Sequence, residues 1–259
     1  MNFVYILFSL IFTLSLAAEK VLIFTYSYNR PEFIEYQFKT FEKFLLDDFE
    51  FVVFNDASEA DMRDKIEKKC RSLQIKCINI PQHIHNLPYL KRFPGEDFNH
   101  PSVRNSNVVQ YSLNNLGFNH NGIVALFDSD LFLVRPFSIK KFMEGYGLSA
   151  LPQSRGNPDL VIDYLWIGLV FIDMFTIPDK KTLNFNCGRV EDVFVDAGGH
   201  TYYYLKAHPE VAVRHLNEGS WPFAVCKECE KDNIRTCLHN DEELRNWGFD
   251  NHQIDFIHK

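Results

Sequence analysis

Four short apolar runs, each closed by a polar cluster or a proline, constrain this chain more than anything else in it. Val21-Leu-Ile-Phe-Thr25, Phe49-Glu-Phe-Val-Val-Phe54, Ile75-Lys-Cys-Ile-Asn-Ile80 and Ile123-Val-Ala-Leu-Phe127 have the length and composition of strands. Between them the spacing turns helical. Residues 32–46 carry Phe33, Ile34, Phe38, Phe41, Phe44 and Leu45, with Pro31 suited to the first helical position. Residues 61–72 read as a charged surface helix, and Ser102 suits the cap of a helix reaching Leu116. Strand and helix in strict alternation predict an α/β fold with a mainly parallel sheet and helices on both faces.

Such sheets bind ligands beyond the carboxyl ends of their strands. Polar clusters stand at three of those ends: Thr25 to Arg30, Asn55-Asp56, and Asp128-Ser129-Asp130. The last is flanked by apolar residues on both sides, since Leu131 to Val134 follow at once. In an extended chain residues two apart share a side, so Asp128 and Asp130 are expected to converge. Like charges that close need a compensator. A hard divalent cation, completed by phosphate oxygens, is the natural one. The alternative is a strand ending in a solvated acidic turn.

With 259 residues, 46% of them hydrophobic, the chain has material for one large core. A net charge of -7 without a basic block argues against nucleic acid as a partner. Residues 19–259 are expected to form a single domain. Residues 1–18 are set apart by the apolar run Phe3 to Leu16, too short for a comfortable membrane span but suited to a signal peptide or signal anchor. A secretory, secreted or periplasmic location follows from that reading, with membrane contact only through residues 3–16. A greasy first element of the fold is the competing reading, because no Lys or Arg precedes the run.

The second half is less regular. Leu148 to Leu151, Leu165 to Ile172 and Val211 to Leu216 read as strands, and Thr201 to Lys206 as the start of a helix. Gly168 interrupts an apolar run where a ligand or another backbone would approach closely. Residues 81–101, with Pro81, Pro88, Pro94 and Pro101, form a long irregular stretch of the kind that often carries function.

An apolar strand leading into Asp128-Ser129-Asp130, at the fourth strand of an alternating pattern, resembles the DxD motif of glycosyltransferases with the GT-A fold. The segment Val21 to Pro31, with its Tyr-Asn-Arg-Pro, is similar to the opening nucleotide-binding strand and loop of that superfamily. The resemblance covers residues 21–134 well and the rest loosely. It implies a three-layer αβα sandwich and transfer of a sugar from a nucleotide-diphosphate sugar, a UDP-sugar by preference, to a carbohydrate or glycoconjugate acceptor. It also implies Mn2+ or Mg2+, held by Asp130 and Asp128, with His258 either a further ligand taken from a late position or an ordinary histidine near the end of the sequence. Asp130 would make the direct metal contact, and Asp128 would bind the metal, the ribose hydroxyls, or both. Asp56 stands where the family places an acidic residue against the nucleobase or ribose. Thr25, Tyr26, Arg30, Arg104 and Asn107 are the remaining candidates for the donor, with Asn105 beside them; a solvated helix face and a simple cap are the plainer readings of Arg104 and Arg30.

An inverting transferase needs a carboxylate base for the acceptor's proton. Asp196, before Gly198 and Gly199, is the candidate, and capping the Thr201 helix is its plainer role. His200 belongs either to the acceptor side or to that cap. Trp166 and Tyr202 to Tyr204 suit sugar platforms or core.

Six cysteines remain: Cys70, Cys77, Cys187, Cys226, Cys229 and Cys237. In a secreted chain the even number favours disulfides, Cys70 with Cys77 among them. Cys226, Cys229, Cys237 and His239 have the ligand types of a small zinc site, the minority reading. Two other functions compete with transfer. A haloacid dehalogenase-type phosphatase also uses an apolar strand with DxD, but on its first strand and followed by Thr, where this chain has Leu131-Phe132. A catalytically inactive carbohydrate-binding protein of the same fold is the other.

Overall fold

A computed structural model describes residues 19–86, 101–133 and 136–216. The alternation is realised. β1 (Val21–Ser27), α1 (Pro31–Phe44), β2 (Phe49–Asn55), α2 (Ala60–Ser72), β3 (Lys76–Asn79), α3 (Pro101–Asn115) and β4 (Ile123–Phe127) follow in order. A short helix α4 (Ile139–Met143) leads to the long hairpin of β5 (Leu148–Asn157) and β6 (Leu160–Asp173). Then come β7 (Gly188–Val190), β8 (Val193–Val195), α5 (Thr201–Ala207) and β9 (Val213–His215).

Seven strands make one sheet in the order β3-β2-β1-β4-β6-β5-β9, and β7 and β8 pair separately. β1, β2, β3 and β4 run parallel, while β6 is antiparallel to both β4 and β5. The period of two sorts the side chains. Leu22, Phe24, Val52, Phe54, Val124 and Leu126 face α3, packing with Val108, Val109 and Leu113. Val21, Ile23, Phe51, Val53, Ala125 and Phe127 face α1 and α2, packing with Ile34, Phe41 and Ile66. The result is the expected three-layer αβα sandwich. Phe41 shows how α1 is held: it is fully buried, edge-on to Phe127 at 4.9 Å and to Phe51 at 5.5 Å. Burial of such a ring stabilises by roughly 2–3 kcal/mol.

Several expectations need correction. Pro101, not Ser102, opens α3. Cys70 and Cys77 are free thiols joined by a hydrogen bond rather than a disulfide. That hydrogen bond and burial push the Cys70 thiol well above its ordinary value. Cys187 is a buried thiol packed on Val103. The apolar run of residues 3–16, His258, and the Cys226, Cys229, Cys237 and His239 group lie outside the described residues. Among the described residues no helix is long and apolar enough to cross a membrane.

Candidate active site

The strand ends converge as expected, but Asp128-Ser129-Asp130 is not extended. β4 stops at Phe127, and the Leu131 amide donates to the Asp128 carbonyl at 3.1 Å, closing a turn. The apolar residues that follow, Leu131, Phe132 and Leu133, are buried, so the turn is pinned to the core rather than left in solvent. Two clamps hold it. The Asp128 amide donates to the Gly168 carbonyl of β6 at 2.8 Å. From α1, the fully buried Gln37 donates its amide nitrogen to the Asp128 carbonyl at 2.9 Å and to the Leu131 carbonyl at 2.8 Å.

Two adjoining cavities meet at this turn, of about 340 and 290 Å3. Both are walled by Asp128, Asp130, Asn105 and Pro101. The larger adds Tyr26, Tyr28, Asp56 and Arg104, and the smaller adds Trp166, Ile167, Asp196 and Ala197. Wider hollows beside Lys20 and beside Asn121 lie toward the amino ends of the strands, where parallel sheets do not carry ligands.

Asp56 is the hub of the larger cavity. It follows β2, is 4% exposed, and its amide donates to the Ser27 carbonyl at 2.9 Å. One carboxylate oxygen meets His85 Nε2 at 2.7 Å, and the other accepts from Arg104 Nη2 at 2.7 Å. Gln82 donates to the His85-bound oxygen at 3.3 Å. Behind His85, Asn107 approaches Nδ1 at 3.4 Å. Arg104 also lies 4.7 Å over the ring of the exposed Tyr28, which stands at the cavity wall. Removing one partner from a buried pair of this kind costs about 3–5 kcal/mol, because the other charge is stranded.

Tyr26 lines the same cavity but is committed to the core. Its ring stacks on Phe54, and its hydroxyl lies 2.9 Å from the Ser112 hydroxyl. Burial, with a smaller push from Asp128, raises its phenol far above the ordinary 10.0 and keeps it protonated.

The smaller cavity owes its shape to an irregularity. Ala150 pairs with Val170 and Pro152 with Leu165, so Leu151 alone stands opposite residues 166–169. This bulge carries Trp166 to the cavity wall. A Cβ on Gly168 would fall 2.0 Å from Trp166 Cη2, so the indole sits where a side chain would be. The close approach expected at Gly168 is made by the Trp166 ring where a side chain would stand, and by the Asp128 backbone at the Gly168 carbonyl. Asp196 follows β8, and its carboxylate accepts from the Ala197 amide at 2.7 Å. It does not cap α5, which begins after His200 without any side-chain cap bond; the Thr201 hydroxyl instead donates to the Gly198 carbonyl at 2.7 Å and accepts from the Leu165 amide at 3.0 Å.

The structure thus gathers Tyr26, Asp56, Arg104, Asn105, Asp128, Asp130 and Asp196 around two cavities. Thr25 is fully buried and lines neither one, because its position on β1 directs it away from the Tyr26 side. Arg30 is exposed, precedes α1 without a side-chain cap bond, and sits 5.1 Å over the Phe33 ring. Asn107 supports His85 and does not reach the wall. Tyr202, Tyr203 and Tyr204 line neither cavity; Tyr204 is buried and donates to the Pro178 carbonyl at 2.7 Å.

His85, Gln82, Tyr28 and Gln37 were not singled out in the sequence. Gln37 had a readable signal, as a polar residue on the apolar face of α1. His85 had only its place in the proline-rich stretch.

No protein-family model matches the sequence, and no curated protein sequence matches it. Solved structures do resemble the fold. Glucosyl-3-phosphoglycerate synthase from Mycobacterium tuberculosis, solved with Mn2+, UDP and glucosyl-3-phosphoglycerate, aligns at a TM-score of 0.44 and 16% identity, over 78% of this chain and 70% of that one. The WbbM bifunctional glycosyltransferase aligns at 0.37 and 9%, over 61% of this chain and 32% of that one. At such scores and identities, function has to be judged from the side chains themselves.

Proposed function

We propose that the chain is a metal-dependent glycosyltransferase that moves a sugar from a nucleotide-diphosphate sugar, a UDP-sugar by preference, to a carbohydrate or glycoconjugate acceptor. One observation carries this reading: Asp128 and Asp130 stand at the junction of two cavities, one furnished with Asp56, Arg104 and Tyr28, the other with Asp196 and Trp166.

A divalent cation fits this donor set. Among the described residues no group of three His, Cys, Asp or Glu side chains could hold a metal. Two carboxylates are nevertheless what Mg2+-like sites take when substrate phosphates and water complete the shell. Asp128 and Asp130 would hold Mn2+ or Mg2+, which would neutralise the leaving diphosphate as a Lewis acid. The dehalogenase-type alternative loses ground, because the motif closes β4 in mid-sheet and Leu131-Phe132 after it are buried.

The chain's own groups then divide the work. Arg104, fixed by Asp56, offers positive charge in the donor cavity, and Tyr28 offers a flat apolar surface. Asn105, whose amide lies 3.5 Å from the Asp128 carboxylate, steadies the shared wall. Asp196 takes the proton of the acceptor hydroxyl as the new bond forms. The hydrogen bond from Ala197 holds its carboxylate in place for that transfer. A location in or beyond the secretory pathway belongs to the same proposal and rests on the apolar residues 3–16 alone.

The test is hydrolysis or transfer of UDP- and GDP-sugars with Mn2+ or Mg2+. Turnover should need the metal and fall by about 100-fold or more in Asp130→Asn. No binding or turnover of any such donor, with Asp130→Asn indistinguishable from wild type, overturns the proposal.

A further inference from the structure

We infer that the acceptor taken by the smaller cavity is a neutral, hydroxyl-bearing sugar ring, and that phosphorylated or carboxylated acceptors are excluded. This rests on the glycosyltransferase reading and adds the acceptor's chemical class to it.

Charge is the first argument. Three carboxylates, Asp128, Asp130 and Asp196, line this cavity, and among its described lining residues there is no Lys, Arg or His. Arg104, the cation of the neighbouring cavity, is held toward Asp56 at 2.7 Å and does not line this one. A divalent cation at the turn would be balanced by the donor's diphosphate, so the wall keeps its negative sign during the reaction. A phosphate or carboxylate about 6 Å from two such groups, at an effective dielectric of about 40, is disfavoured on the order of 100-fold.

Shape is the second argument. Trp166 is placed at the wall by the bulge in β6 and seated on Gly168, whose missing side chain makes the room. Ile167 and Ala197 add apolar lining, Asp196 adds a hydrogen-bonding group, and Asn105 adds another beside the Asp128 carboxylate. An apolar indole surface next to acceptors for hydroxyl protons suits a pyranose, which has an apolar C–H face and a hydroxyl rim. Among the described lining residues it offers a phosphate no cation to pair with.

Two measurements test this. Equilibrium binding to the UDP- and Mn2+-loaded protein, followed by saturation-transfer NMR, compares neutral methyl pyranosides with their 6-phosphates and uronates. Transfer assays compare the same pairs. Neutral sugars should bind and accept at least about 30-fold better than their charged counterparts. The same sugar offered free, on a peptide and on a lipid ranks the carriers, and a preference for the neutral form on any of them supports the inference. Ser102→Arg places a cation at the cavity wall and should narrow the discrimination by about 10-fold. Trp166→Ala should raise the neutral acceptor's KM by about 10-fold, with a smaller effect on kcat. If donor hydrolysis is metal-dependent while phosphorylated acceptors bind as well as neutral ones, the inference fails and the transferase reading stands. If no nucleotide sugar is turned over, both fail.

Discussion

At the residue scale, the site depends on side chains that never touch a cavity. Gln37 is the clearest case. Its single amide group ties two carbonyls of the Asp128 turn to α1, across more than ninety positions of sequence. Gln37→Leu keeps the volume and removes both bonds, leaving the Leu131 carbonyl without this donor and the Asp128 carbonyl with the Leu131 amide alone. Urea unfolding should show a loss of about 2–3 kcal/mol. Calorimetric Mn2+ affinity should fall by about 10–100-fold, because the turn that presents both carboxylates loosens. Gln37→Glu removes the donor as well and adds a buried charge, so it should be worse. An unchanged Mn2+ affinity in a folded Gln37→Leu protein would remove Gln37 from the account. Asp56 teaches the same lesson from the other side. Its acidity was visible in the sequence, but its partners were not. His85 and Arg104 approach it from segments 29 and 48 residues away, and nothing in the local pattern announces a pairing of that range.

Among the elements, α1, α2 and the β6 bulge set the geometry. Glu35 bridges Lys39 on its own helix, at 2.7 Å, and Lys69 of α2. The hydrogen bonds from Lys39 and then Lys69 hold its carboxyl below the ordinary 4.5. The folded value is the lower one, so this stabilisation is fully present above pH 4.5 and is lost as pH falls through the depressed folded value. The carboxylate is 28% exposed and solvent screens it. Glu35→Gln should therefore cost less than about 1 kcal/mol at neutral pH, shrink in high salt, and show no difference from wild type in strong acid. Denaturant melts at several pH values check this; a difference that grew on acidification would contradict it.

The bulge gives a sharper prediction. In Gly168→Ala the new methyl would fall 2.0 Å from the Trp166 ring, so the indole must leave its seat. Stability should drop by about 1–3 kcal/mol, and acceptor affinity should fall with it. Native-like tryptophan fluorescence in that variant would show that Trp166 is seated otherwise. The boundaries of β1, β2 and β4 were legible because a buried parallel strand is a continuous apolar run. The turn after β4 was not, because Leu131 to Leu133 are as apolar as a strand. They are buried by packing on α1 rather than by pairing in the sheet. The bulge was marked only by Gly168, whose role depends on where Trp166 folds.

For the molecule as a whole, the strand order decides where the candidate site lies. β1, β2 and β4 are parallel and adjacent, so their carboxyl ends form one edge, and β6 closes it beside the Asp128 turn. This collects charges that lie far apart in sequence: Asp56 and Arg104 on one side, Asp196 on the other, Asp128 and Asp130 between. The gathering of the polar strand ends at one edge was legible in the sequence. The division of the site into two cavities was not, since that needed the bulge of β6 and the path of the chain after β8. The central claim is that Asp128 and Asp130 join a divalent cation to a nucleotide diphosphate. Calorimetric titration of UDP, with and without Mn2+, into wild type and Asp130→Asn tests it most directly. UDP binding should require Mn2+ and weaken by about 100-fold or more when the metal is withheld or Asp130 is changed; UDP affinity indifferent to both would rule this role of the two carboxylates out.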